Sequence, residues 1–353
     1  MSRTILIMAG GTGGHIFPAL AVAGELAARG WRVVWLGSRS GMEAQIVPAQ
    51  GYPVEWIRFG GLRGKGLLRA ALLPLNLLIA FWQSLRVILR VRPDVVLGMG
   101  GYVTFPGGMI AAGLLRPLVI HEQNAVAGLA NRVLAQVADR VLVAFPDTLR
   151  KATWTGNPVR AEISAVAPPE ERLRQRQGPL NLLVIGGSLG ARALNDIVPK
   201  AAALMAAGSR PRITHQAGRQ HLEALESTYR ECAVEATAVA FIENMAAAYE
   251  SADLVICRAG ATTVAELAAA GVASILVPFP FAVDDHQTAN ARFLSDQGAA
   301  VLLPQRDLSP RALADLLLGL SRERIFEMAN KARTLGKPEA TRAVADICMA
   351  AAA

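Results

Sequence analysis

Aromatic residues are scarce, 5% of the chain, and none is interleaved with a basic stretch as a base-stacking platform requires. There is no basic low-complexity tail either, so nucleic acid is not an expected partner, although the net charge is +8. The surplus of Lys and Arg points instead to phosphates or an anionic lipid surface. Cysteine is nearly absent: Cys232, Cys257 and Cys348 lie far apart, with no CxxC pair. No histidines cluster at metal-ligand spacing. Neither a disulfide framework nor a metal centre is expected, and the cysteines read as reduced and structural. The opening stretch has five apolar residues before the double glycine at 10–11, fewer than a secretory signal needs. A reducing, cytoplasmic setting follows. The apolar run Ala70–Trp82 has 13 residues broken by Pro74 and Asn76, against the roughly 20 of a bilayer span.

Two further absences concern the first glycine turn, GGTGGH at 10–15. Its spacing is not GxGxxG, and no acidic residue closes the next expected strand, Val33–Leu36. An adenine dinucleotide therefore loses support.

What is present is apolar and glycine-rich: 52% hydrophobic residues and 32 glycines in 353. That composition suits buried parallel sheets in an α/β protein of about two domains. Thr4–Ala9 reads as a strand, then a tight turn, then a helix from near His15 to about Arg29. Leu180–Ile185 followed by GGSLGA at 186–191 repeats the device, so two Rossmann-like halves are the simplest inference. Ser188 and the amides after it suit a phosphate, as an alternative to mere helix packing. TGNPVR at 155–160 marks the linker, since Asn157-Pro158 forces an extended turn. The expected domains are 1–158 and 159–337, with a last helix, about 338–353, crossing back to the first.

The stretch Val255–Asn290 reads as strand, turn, helix, strand and loop. Thr262 or Thr263 is expected to cap the helix, with Glu266 at capping-box spacing from Thr263. An anion would sit at that helix start, with Glu266 in reach of a sugar diol. An ordinary capped βαβ unit would look the same. His15 also has two readings: a neutral imidazole able to accept a proton at a positive helix end, or a plain helix cap. So does the region 62–92. Arg63, Lys65, Arg69, Arg86, Arg90 and Arg92 flank Leu72, Leu73, Leu75, Leu78, Ile79 and Trp82. That pattern fits either a helix lying on an anionic membrane or a buried helix pair. Ala238–Phe241 is expected to be a strand, with a backbone amide near Ile242 able to read a flat base edge.

Taken in order, GGTGGH (10–15), GGYVTFPGG (100–108), HEQN (121–124), TGNPVR (155–160), GGSLGA (186–191), RAGATTVAE (258–266) and DDHQTANA (284–291) resemble the MurG family of family 28 glycosyltransferases. The resemblance covers nearly the whole chain. It implies the GT-B architecture, two Rossmann-like domains facing across a cleft. It also implies an inverting transferase that moves N-acetylglucosamine from UDP-GlcNAc to the C4 hydroxyl of the muramyl sugar of lipid I. That activity belongs to peptidoglycan synthesis, at the cytoplasmic face of the inner membrane and peripheral to it. By resemblance, His15 is the candidate general base and Glu122 the other catalytic candidate. Thr12, Gly13 and Gly14 would lie against the donor. Asn124 and Gln287 would contact the sugar. Arg160 and Ser188 would hold the diphosphate. Ile242 would pair with uracil through its main chain. Ala261, Thr262, Thr263, Val264, Ala265 and Glu266 would surround diphosphate and ribose. GGYVTFPGG would face the acceptor pyrophosphate. No DxD motif precedes the donor segment, so neither a metal nor another cofactor is expected.

Overall fold

The computed structural model describes residues 2–59, 72–187 and 190–353. The chain divides into two compact units, Met1–Arg160 with Pro338–Ala353, and Ala161–Lys337.

The first unit is built on seven parallel strands: β1 Thr4–Met8, β2 Arg32–Gly37, β3 Val54–Trp56, β4 Val95–Gly98, β5 Leu118–Glu122, β6 Arg140–Val143 and β7 Thr153–Trp154. Their spatial order is β3-β2-β1-β4-β5-β6-β7. Strand residues alternate between two apolar layers, because successive side chains point to opposite faces. Ile5, Ile7 and Ala9 join one layer, with the helices Gly13–Ala28 and Ala340–Ala351. Leu6 and Met8 join the other, under the helices Leu73–Val91 and Thr104–Gly113. The C-terminal helix is tied in by Val344, Ala345 and Cys348, and by a 2.8 Å bond from the Thr341 hydroxyl to the Val159 carbonyl.

The second unit repeats the plan with six parallel strands: β8 Asn181–Ile185, β9 Arg212–Gln216, β10 Ala236–Val239, β11 Leu254–Cys257, β12 Ala273–Leu276 and β13 Ala300–Leu302. Their order is β10-β9-β8-β11-β12-β13. Strand order therefore reverses beside the first strand of each sheet, at β1/β4 and at β8/β11. In such sheets the carboxyl edge at the reversal is where ligands bind, because the flanking helices run to opposite faces there and leave a crevice.

Two expectations shift. The strand expected at Ala238–Phe241 lies at Ala236–Val239 instead, because its partner β9 ends at Gln216, opposite Val239. Phe241 is left exposed. The helix Leu73–Val91 has one buried face and one exposed face. Ala80, Ser84, Val87 and Ile88 are buried, and Phe81 packs on Phe105 at 5.9 Å. Leu72, Leu75, Leu78, Ile79, Trp82 and Leu89 are exposed. Arg86 stacks over Trp82 at 4.8 Å, and Arg90 pairs with Glu55. Arg63, Lys65 and Arg69 lie outside the described residues.

Candidate active site

In the first unit, the turns after β1 and β4 meet at the strand reversal. The Gly10 amide donates to the Gly100 carbonyl at 3.4 Å. Gly101 has φ +87°, and a Cβ there would run into the Gly10 carbonyl, so only glycine lets the two turns touch. Glu43, 1% exposed, closes the turn from behind. Its carboxylate accepts from the Gly11 amide at 2.9 Å and the Ser38 amide at 3.0 Å. Thr12 and Gly14 are exposed and Gly13 half-buried at the start of the helix Gly13–Ala28.

His15 is half-buried in the first turn of that helix and does not cap it. Its Nδ1 faces the side-chain carbonyl of Gln123 at 2.8 Å. The Gln123 amide nitrogen lies 3.1 Å from His121 Nδ1, and His121 Nε2 lies 2.9 Å from the Gly156 carbonyl. His121 is fully buried, and burial pushes its imidazole down to about 4, so it is neutral near pH 7.

Glu122, expected as a catalytic group, is a loop organiser by its contacts. It is 2% exposed, and both oxygens are engaged by N–H donors. Oε1 accepts from the Asn124 backbone at 3.0 Å, and Oε2 from the Gly128 amide at 3.1 Å and Asn131 Nδ2 at 2.8 Å. Asn124, half-buried, is held by Glu122 at the end of β5. Arg160 is exposed, the last residue of the first unit.

In the second unit, β11 ends at Cys257 and the helix Ala261–Ala270 begins after three intervening residues. The expected capping box is absent. Gly260 is the N-cap, with extended backbone (φ −63°, ψ 143°), and no side chain caps the turn. So short a turn places Thr262 and Thr263 inside the first helical turn rather than before it. The Thr262 hydroxyl is buried without a hydrogen-bond partner among the described residues. Glu266 is freed from any capping duty. It is 8% exposed, and its Oε2 accepts from the Tyr249 hydroxyl at 3.1 Å.

Two residues hold this helix start and a third holds its other end. Asn290, fully buried, donates to the Ala259 carbonyl at 3.1 Å. Arg258 spans to the ends of β12 and beyond, donating to the Val277 and Pro278 carbonyls at 3.1 Å and to Gln305 at 2.6 Å. At the other end of the helix, the buried Arg172 guanidinium donates to the Ala270 and Gly271 carbonyls. Burial lowers its pKa to about 10, which leaves it charged against the negative helix end. Arg258 and Asn290 stood inside quoted motifs. Nothing local to Arg172 signals its role, since its partners are 98 and 99 residues away.

Gln287 lies in the first turn of the helix His286–Ser295 and accepts from the Phe279 amide at 2.8 Å. Ile242, half-buried, sits between β10 and the helix Met245–Ser251, whose N-cap Asn244 accepts from the Ala247 amide at 2.9 Å. Ala261 and Val264 are buried, Thr262, Thr263 and Ala265 half-buried. Ser188 lies outside the described residues. Among the described residues, no group of three or more His, Cys, Asp or Glu is placed to hold a metal ion.

Residues 5–143 match the N-terminal domain of glycosyltransferase family 28, and residues 181–345 match its C-terminal domain. A Dechloromonas aromatica protein named UDP-N-acetylglucosamine–N-acetylmuramyl-(pentapeptide) pyrophosphoryl-undecaprenol N-acetylglucosamine transferase is 64% identical, covering 99% of each chain. A protein of the same name from Ralstonia nicotianae is 63% identical over 100% of this chain and 97% of its own. The crystal structure of Acinetobacter baumannii MurG superposes with a TM-score of 0.87 at 42% identity, covering 99% of both chains. A UDP-GlcNAc 2-epimerase from Neisseria meningitidis, bound to UDP-GlcNAc, has a TM-score of 0.67 at 12% identity and 99% and 100% coverage. That second likeness speaks to the fold alone.

Proposed function

Since the chain belongs to glycosyltransferase family 28, we propose that it transfers N-acetylglucosamine from UDP-GlcNAc to the C4 hydroxyl of the muramyl sugar of lipid I, yielding lipid II and UDP for peptidoglycan synthesis. The structural observation that carries the donor half is the start of the helix Ala261–Ala270. It stands at a strand reversal, has no side-chain cap, and keeps a buried Thr262 hydroxyl without a hydrogen-bond partner among the described residues. Free N–H groups at a positive helix end complement a diphosphate.

The residues divide the work. The N–H groups at the helix start and the Thr262 hydroxyl hold the diphosphate with Arg160 and Ser188, and stabilise the charge that grows on departing UDP. Glu266, oriented by Tyr249, accepts from the ribose hydroxyls. The Ile242 main chain pairs with uracil. Gln287 and Asn124 contact the sugar, and Thr12, Gly13 and Gly14 lie against the donor. The first unit takes the acceptor, with the 100–108 turn toward its pyrophosphate. His15 removes the C4 hydroxyl proton as oxygen attacks the anomeric carbon. One displacement turns the α-linked donor into a β-linked product.

The helix Leu73–Val91 brings the enzyme to its lipid substrate. At 19 residues it is long and apolar enough to span a bilayer, but its inner face is part of the core. Its outer face, with Trp82 and Arg86, suits the interface of an anionic membrane. The enzyme is then peripheral, on the cytoplasmic side of the inner membrane. Sedimentation with vesicles containing an acidic phospholipid checks this: Leu78→Glu/Trp82→Glu should lose most binding, and full retention would remove the helix from the membrane.

The reaction is tested by transfer of labelled N-acetylglucosamine from UDP-GlcNAc to a short-chain lipid I analogue. Wild-type transfer, with a large rise in donor KM in Glu266→Ala, is expected. Donor binding without transfer to that acceptor would sink the lipid I assignment.

A further inference from the structure

In the first unit, His15 heads a chain of four polar groups whose other three members the reading above does not use. It runs from His15 Nδ1 to Gln123 Oε1 (2.8 Å), from Gln123 Nε2 to His121 Nδ1 (3.1 Å), and from His121 Nε2 to the Gly156 carbonyl (2.9 Å). Gln123 is 1% exposed and His121 is 0% exposed, so no solvent intervenes at either residue.

The far end fixes every proton in the chain. A carbonyl oxygen only accepts, so His121 Nε2 must carry the hydrogen that it shares with Gly156. The neutral ring then has a bare lone pair at Nδ1, which needs a donor. Only the nitrogen end of the Gln123 amide can supply one. That nitrogen's other hydrogen points to the His121 carbonyl at 3.2 Å. Turning the amide over would set its oxygen against that carbonyl and demand a doubly protonated, buried His121. The Gln123 oxygen must therefore face His15, and an oxygen there only accepts. His15 Nδ1 must donate. The hydrogen of neutral His15 is on Nδ1, and Nε2 is left with its lone pair.

We propose that Gln123 is a positioning residue which, anchored through His121 to the Gly156 carbonyl, locks His15 as the Nδ1–H tautomer and so makes Nε2 the atom that accepts the acceptor's proton. This deepens the reading of His15 as general base and rests on it for its catalytic consequence. Free imidazole side chains favour the opposite tautomer, with the hydrogen on Nε2, which cannot accept a proton at that atom. The bond from Nδ1 to the amide oxygen also stabilises the imidazolium formed as the proton arrives. Gly100 lets the backbone approach closely. A Cβ there would lie 2.6 Å from His15 Nδ1 and 3.3 Å from the Gln123 oxygen, which is the space of the bond itself.

The test reads the tautomer directly, by long-range 15N–1H NMR of the full-length protein with labelled histidine at pH 8. Five histidines make assignment practical, with His15→Gln identifying one of them. Wild-type His15 is expected as Nδ1–H. Gln123→Met, close in shape and without polar atoms, is expected to move His15 toward Nε2–H. It should also lower kcat about 10- to 100-fold, part of what a positioned base supplies, with donor KM within about twofold. A wild-type His15 found as Nε2–H overturns the proposal without any variant. So does a tautomer change in Gln123→Met that leaves kcat untouched. The base reading is judged separately by His15→Ala: an unchanged kcat there overturns that reading, while the Nδ1–H signal would still report the relay.

Discussion

The turn after β1 and the turn after β11 are the same backbone device in the two units, and their chemistry is opposite. Each follows a buried parallel strand at a strand reversal, and each opens a helix without a side-chain cap. In the first, Glu43 places a buried carboxylate behind the glycines, and His15 stands in the first helical turn on a polar relay. In the second, no side chain of the N-cap closes the helix start, and the Thr262 hydroxyl has no hydrogen-bond partner among the described residues. A turn already holding an anion is suited to proton transfer. One whose donors are open is suited to a diphosphate. Strand order makes the two places; the neighbouring side chains decide their use.

Changes that exchange or erase these characters should act on different kinetic constants. The largest effect is expected from His15→Ala: kcat down about 100- to 10,000-fold with donor affinity nearly kept, measured by steady-state transfer and donor titration. A matching loss of donor affinity would end the separation of roles. Glu266→Gln should do the reverse, weakening donor binding about 10-fold or more, since a hydrogen bond to a charged group contributes about 1.5–3 kcal/mol. Unchanged donor KM would remove Glu266 from the ribose.

Glu43→Ala removes the acceptor of the buried Ser38 amide and of the half-buried Gly11 amide and should cost about 1–3 kcal/mol of stability. Denaturant melts followed by donor titration would show this, and UDP-GlcNAc affinity should be unaffected. A weakened donor would mean that the first turn takes part in donor binding.

The smallest expected effect compares one buried histidine in each unit. His121 is pushed down to about 4 and His215 to about 3, both by burial. Unfolded histidine binds its proton near pH 6.5. Between that pH and the folded values the unfolded chain carries more protons, so stability falls as pH falls. His121→Gln and His215→Gln should each flatten the dependence of Tm on pH between 6.5 and 4. An unaltered slope in either variant would mean that its histidine is not held neutral.

Much of this was legible in the chain. The apolar runs that became β1, β8 and β11, the glycine turns after them and the repeat of one plan in two halves follow from local composition and spacing. So does the choice of His15 and Glu266 as groups worth watching. The capping box at Thr263 and Glu266 was misleading, because the helix begins at Ala261, three residues earlier than a Thr263 cap would start it, and the glutamate turns to Tyr249 instead. Glu122 was legible as a carboxylate at the end of β5, but not its contacts to Gly128 and Asn131, which lie six and nine residues on.

The sequence by itself determined the two α/β halves, the glycine turns and the family, because hydrophobic period, turn chemistry and motif order are local properties of the chain. The tertiary structure alone decided which turn is closed by Glu43, which face of Leu73–Val91 is buried, and which nitrogen of His15 carries hydrogen. The partners that set these lie far away along the chain: Glu43 is 32 residues from Gly11, and Gln123 is 108 residues from His15. A hydrogen bond depends on position in space within a few tenths of an ångström, and only the folded sheet brings such residues that close.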